Sequence, residues 1–206
     1  MVGESMRHPL VEKIQTDVPY VPNDISFHKS GMLLFGTNAC GKSTLMKSVG
    51  LSLIMAQAGC FVPCKQFTYY PYTQIFTRIL NNDNLFRGQS SYTIEISELR
   101  NILKRANERS LVLGDELCSG TEQESALCVV GAGLHTLSKL KCSYMFTSHL
   151  HMIPQIPLVQ QIDNMEIYHL EVKYHKDTQI LEYIRTLQPG QGPSVYGLEV
   201  CKAMDM

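Results

Sequence analysis

Gly36-Thr37-Asn38-Ala39-Cys40-Gly41-Lys42-Ser43 fits the pattern G-x-x-x-x-G-K-[ST]. In such a loop, glycines let backbone N–H groups turn inward around phosphate oxygens, and the following helix adds the partial positive charge of its N-terminus. Lys42 then reaches the β and γ phosphates and Ser43 ligates Mg2+, with Thr44 continuing into the first helical turn. Hydrolysis of a triphosphate needs two further groups, an acidic metal holder at the end of a buried strand and a base for the attacking water. Leu111-Val112-Leu113-Gly114-Asp115-Glu116 offers both, Asp115 for the Mg2+ shell and Glu116 as general base. A third apolar run ends in Thr147-Ser148-His149, which places His149 at the strand edge where open α/β sheets bind ligands and where it can sense a γ phosphate.

These groups need strands and helices to hold them. Residues 32–35 form an apolar run behind Gly31, and from 43 to 58 apolar residues recur at helical spacing (Leu45, Met46, Val49, Leu53, Ile54), giving strand, turn and helix. Gly59 and Pro63 end that helix, and residues 69–80 read as a strand before an Asn81-Asn82-Asp83-Asn84 loop. Helices are expected over 95–108 and 123–137, and buried strands over 111–113 and 143–147. Apolar strands alternating with helices predict a mostly parallel sheet flanked by helices, the α/β architecture of P-loop NTPases with their Walker A and Walker B motifs. Two alternating runs, 168–174 and 179–184 around Lys176-Asp177, predict an antiparallel hairpin near the C-terminus.

Composition narrows the classes. A hydrophobic fraction of 44% over 206 residues fills a real core and excludes a disordered chain. Without repeats or Gly/Ser linkers, residues 1–206 read as one domain. Eighteen Lys plus Arg against nineteen Asp plus Glu leave a net charge of −1, so bulk charge attracts neither nucleic acid nor an anionic membrane. The uncharged stretch 142–162 contains His149, His151, Pro154 and Pro157 and is no membrane span, and the N-terminus has no apolar core behind a basic start. A soluble intracellular protein is expected. Seven cysteines, an odd number, fit reduced thiols. Cys60 with Cys64 and His149 with His151 suggest a zinc site only weakly, and buried small residues beside Pro63 are the favoured reading.

The adjacent Asp115-Glu116 pair points to ATPases whose sites are completed across a dimer. Further motifs narrow this: Ile75-Phe76-Thr77-Arg78-Ile79, the stretch Gly88-Gln89-Ser90-Ser91-Tyr92-Thr93-Ile94-Glu95-Ile96, Ser119-Gly120-Thr121 after the acidic pair, Arg7-His8-Pro9 and Tyr196-Gly197. Together they resemble the ATPase domain of the MutS mismatch-repair family, from residue 6 to about residue 203. The resemblance implies that Asn38 is the family's P-loop asparagine, that Tyr20 stacks on adenine, and that Ser90 reaches in trans to the γ phosphate of a partner subunit. It implies ATP, ADP and Mg2+ as cofactors, and a homodimer or a paralogous MutS-like partner. Mismatched duplex DNA would be held through domains absent from this chain, a fragment of a larger protein driving a DNA-bound clamp.

Several positions depart from the family pattern. Its P-loops usually read Gly-Pro-Asn-Met-Gly-Gly-Lys-Ser, where this chain has Thr37, Ala39 and Cys40, and a side chain at Cys40 is expected to narrow the phosphate nest. Gly114 stands where a hydrophobe usually precedes the acidic pair, and Leu117-Cys118 where Gly-Arg is usual. These changes resemble the divergent forms encoded by large DNA viruses and some mitochondria. Two alternatives stay open: an ABC- or SMC-type ATPase, echoed in Leu85-Phe86-Arg87-Gly88-Gln89-Ser90, and a nucleotide-gated dimerisation module with little hydrolysis, suggested by Cys40.

Overall fold

The computed structural model describes residues 1–15, 17–28, 31–79, 91–118, 121–175, 178 and 180–193. In chain order the elements are β1 (Val2–Met6), α1 (Val11–Ile14), β2 (Asn23–Ser26), β3 (Gly31–Phe35), α2 (Lys42–Gln57), β4 (Gln66–Thr68), β5 (Gln74–Arg78) and α3 (Ser91–Arg105). There follow β6 (Ser110–Asp115), α4 (Gln123–Lys139), β7 (Ser143–Ser148), a 3-10 turn (Ile153–Gln155), α5 (Pro157–Gln160), β8 (Met165–His175) and β9 (Ile180–Pro189). The fold is mixed α/β. Its mostly parallel six-stranded sheet has the order β5-β6-β7-β3-β8-β9, and a separate three-stranded sheet has the order β2-β1-β4. The loop 81–84, Ser90, Ser119-Gly120, the Lys176-Asp177 turn and Tyr196-Gly197 lie outside the described residues. Among the described residues no helix is long and apolar enough to cross a membrane.

The chain divides into two compact units. The first comprises Met1–Ser26, Leu34–Tyr69 and the chain from Ile167 onward. Its small sheet is antiparallel, with Val2 paired to both Ser26 and Thr68. Helix α2 buries Leu45, Met46, Ser48, Val49, Ser52 and Leu53. Ile54, expected on that face, is 53% exposed, because one residue is a 100° turn and Ile54 falls on the side of exposed Lys47. The hairpin β8–β9 is longer than its alternation predicted. Its register slips between Leu170↔Leu187 and Val172↔Tyr183, so that Glu171 alone faces Ile184, Arg185 and Thr186 in a β-bulge.

One histidine in this unit serves as a helix cap. The Nδ1 of His8 accepts the N–H groups of Leu10 at 3.3 Å and Val11 at 3.2 Å, two donors that α1 leaves without partners in its own first turn. A proton on Nδ1 would break both contacts. Burial, and then the positive charge of Lys47, hold the His8 pKa below its ordinary 6.5. The unfolded chain therefore binds the proton first, and the stabilisation from His8 is complete above pH 6.5 and is lost as pH falls through the folded value. Urea midpoints at pH 7.5 and pH 5.5 should differ more in the wild type than in His8→Asn, and an equal difference would remove His8 from the account.

The second unit comprises Phe27–Leu33 and Tyr70–Glu166. Strands β5, β6 and β7 pair in parallel, in register from Gln74↔Ser110 to Asp115↔Thr147. Every residue of β6 and β7 is buried, the pattern of strands covered on both faces. The strand expected over 69–80 is shorter, β5 alone, because Pro71 offers no N–H to a ladder and restrains Tyr70 before it. Two glycines admit aromatic rings: a Cβ at Gly31 would lie 1.9 Å from the Tyr144 ring, and one at Gly114 would lie 2.6 Å from Phe146. The glycine before the acidic pair is thus the complement of Phe146, its neighbour across the β6–β7 ladder.

Candidate functional site

In the first unit, β3 runs into a tight loop and then into α2. Three loop residues have positive φ: Gly36 at 154°, Ala39 at 65° and Gly41 at 109°. Backbone alternating in this way presents successive N–H groups to one side and forms an anion-binding concavity. Gly41 caps α2 with no side-chain hydrogen bond, and the first turn contains no acidic residue, so the helix end opposes an anion with no negative charge of its own. Lys42 is 4% exposed, and its Nζ donates to the carbonyls of Gly36 at 2.8 Å and Thr37 at 3.0 Å. Ser43 and Thr44 are half-buried, while Asn38 and Ala39 are exposed. The Thr37 hydroxyl is buried without a hydrogen-bond partner, an orphaned polar atom inside the loop.

Cys40 does not stand free in the loop. Its side chain is fully buried, and its Sγ would sit 2.6 Å from a Cβ placed on Gly36, so the thiol occupies the space that glycine leaves open. Burial pushes this thiol pKa up, against the opposing charge of Lys42.

Beside the loop lies a cavity of about 230 Å³. Tyr20 and Val21 line it together with Cys40, Thr44, Leu170 and Arg185, all within the same unit. The Tyr20 hydroxyl is 3.3 Å from Ser48 Oγ, and burial raises its pKa. Arg185 was not legible from the sequence. It lies in the β9 bulge with φ at 63°, its guanidinium 5.8 Å from the centre of the Tyr183 ring. Its only sequence signal is a charge directly after the alternating run 179–184.

The second unit holds the acidic pair. Asp115, 5% exposed, accepts a hydrogen bond from Thr147 Oγ1 at 2.6 Å. The same Thr147 oxygen accepts the N–H of Glu116 at 3.0 Å, so one hydroxyl at the end of β7 holds both acidic residues. The motif alone gives Thr147 no role, and this contact supplies one. Glu116 and Cys118 have φ of 45° and 61°, conformations that cost L-residues energy and persist where surroundings impose them. One such restraint is visible: buried Glu95 accepts the Cys118 N–H at 2.8 Å. Arg78 lies 4.0 Å from Glu95 and forms a 3.0 Å ion pair with Glu98. Burial, and then the charge of Glu95, push the Cys118 thiol up to about 11. His149 follows the last residue of β7 and is exposed.

The structure thus gathers Tyr20, Gly36, Ala39, Cys40, Gly41, Lys42, Ser43 and Thr44 in one unit, and Asp115, Glu116 and His149 in the other. Residues 32–206 match the family model of MutS domain V. The chain belongs to the MutS family. A DNA mismatch repair protein mutS homologue of Acanthamoeba polyphaga mimivirus is 38% identical over 97% of this chain, and a mitochondrial one of Sarcophyton glaucum is 40% identical over 95%. The DNA mismatch repair protein MutS of Oceanobacillus iheyensis is 34% identical over 97%. The expected likeness to viral and mitochondrial MutS forms is met by the first two. This MutS chain spans about a fifth of the length of these relatives.

Proposed function

We propose that this chain is the P-loop ATPase domain of a MutS-like mismatch-repair protein, binding ATP with Mg2+ and hydrolysing it to drive conformational change in a DNA-bound clamp. The observation that supports it best is the cavity beside the loop. In this reading a planar base packs against Tyr20 and Arg185, which line the cavity, while the phosphates lie on the nest of residues 36–44, both within one compact unit. Lys42 neutralises the β and γ phosphates. By the motifs of the family, Ser43 and Asp115 would supply oxygen ligands to the cation, and Thr147 donates to the Asp115 carboxylate. When bound, Mg2+ neutralises charge on the phosphates.

In the reaction, a water oxygen attacks the γ phosphorus, its proton passes to Glu116, and the bond to the ADP oxygen breaks. His149 senses the γ phosphate, and Ser90, outside the described residues, completes a partner's site in trans. These roles for Glu116, His149 and Ser90 rest on the motifs of the family. The partner is a second copy or a paralogous MutS-like subunit. With a net charge of −1, this segment alone should bind duplex DNA poorly, the affinity for mismatched duplex residing in other domains of the full-length protein. Membership of the MutS family sets aside the ABC- and SMC-type alternative.

Steady-state ATP hydrolysis per mole of protein, measured over a wide range of protein concentration with Glu116→Ala as the blank, tests the reading. A specific rate that climbs with concentration and vanishes in the blank is expected of composite dimer sites. A flat rate equal to the blank would withdraw the hydrolase assignment for this chain and leave the nucleotide-gated dimerisation module.

A further inference from the structure

One buried amide ties together two segments that line the cavity. Asn23, the first residue of β2, is 8% exposed. Its Nδ2 donates to the carbonyl of Arg185 at 3.0 Å and to that of Val21 at 3.3 Å, and its Oδ1 accepts the N–H of Leu187 at 2.6 Å. Val21 adjoins Tyr20, Arg185 belongs to the β9 bulge, and all three line the cavity together with Asn23 itself. A primary amide has two donor hydrogens and one acceptor oxygen, and here all of them are used within the cavity's frame. The bulge needs such a restraint, because Arg185 at φ 63° holds a conformation that L-residues keep only when their surroundings over-determine it. Glu171 accepts from the Thr186 hydroxyl at 2.7 Å and from the Gln188 amide at 3.3 Å, anchoring the bulge through side chains and leaving its backbone to Asn23.

We propose that Asn23 is a positioning residue that sets the separation of the Tyr20 and Arg185 walls and thereby governs affinity for the nucleobase, without acting on the phosphates. The inference rests on the nucleotide reading above. Stacking and cation–π attraction depend on how closely two faces approach a flat ring, so a wall that drifts outward weakens the grip on the base. The phosphate loop, held by its own backbone and by Lys42, does not use the Asn23 amide.

The test compares ATP with inorganic tripolyphosphate, both with Mg2+, by titration calorimetry. In Asn23→Ala, and in Asn23→Asp, which keeps an acceptor for Leu187 but loses both donors, ATP affinity should fall about tenfold while tripolyphosphate affinity stays within about twofold. Arg185→Gly suits the left-handed backbone and removes one wall, so it should show the same selective loss. Adding Asn23→Ala to Arg185→Gly should then change the ATP to tripolyphosphate ratio by less than about twofold, since the wall being positioned is gone. Parallel loss of both affinities in Asn23→Asp, or full additivity in the double variant, would reduce Asn23 to a general stabiliser and overturn the proposal. Wild-type protein that binds tripolyphosphate as well as ATP would remove the base wall while leaving the phosphate loop. Protein that binds neither would remove the nucleotide reading itself, and this proposal with it.

Discussion

Lys42→Ala should raise the dissociation constant for ATP by about a hundredfold or more, measured by titration with a fluorescent nucleotide. The ammonium is almost wholly buried and lies within hydrogen-bonding distance of the Gly36 and Thr37 carbonyls, which fixes it inside the loop. A hydrogen bond to a charged group contributes about 1.5 to 3 kcal/mol, and a point charge facing two phosphates makes more than one such contact. Two of them correspond to about a hundredfold or more in affinity. Lys42→Arg should recover little, because a planar guanidinium is wider than an ammonium and the loop carbonyls already enclose the head group. A change of less than about fivefold in Lys42→Ala would remove the loop from the account of binding.

Gly114→Met, which restores the kind of residue more usual in the family, should destabilise this chain by about 3 kcal/mol. The added Cβ would lie 2.6 Å from one atom of the Phe146 ring and 2.7 Å from another. Phe146 is 3% exposed on a strand buried along its whole length, so the ring has nowhere to retreat. Phe146→Val alone leaves a void and also costs stability. Combining the two should give a protein more stable than Gly114→Met alone, with a coupling of at least about 1 kcal/mol in urea denaturation. Simple addition of the two costs would show that the clash is not the cause. In this chain the space beside Gly114 is filled by the phenylalanine across the ladder.

Local patterns revealed the parts of the molecule that local patterns can specify. The buried strands β3, β6 and β7 are continuous apolar runs, and α2 follows its loop at helical spacing, so both could be read along the chain. The acidic pair, likewise, is contiguous in sequence. The three-stranded sheet could not be read in this way, because β1, β2 and β4 are short, half-buried and paired across the intervening helices. The contacts that frame the candidate site are also long-range. Asn23 meets Arg185 and Leu187 at separations of 162 and 164 residues, and Thr147 meets Asp115 at 32, distances over which no periodicity extends. Tyr20 shows the limit from the other side: its spacing gives ordinary core, and only the family resemblance pointed to the cavity it lines.

The Cys40 thiol, folded onto Gly36 with its pKa raised by burial, gives the protein a chemical witness to its own loop. An alkylating reagent needs an exposed thiolate, so Cys60 and Cys128 on the surface are open to it at all times, whereas position 40 is open to it only while the loop is open. The rate of capture at that one sulfur is therefore a count of loop openings, obtained without a label or a substitution. An anion that seals the nest should slow the count.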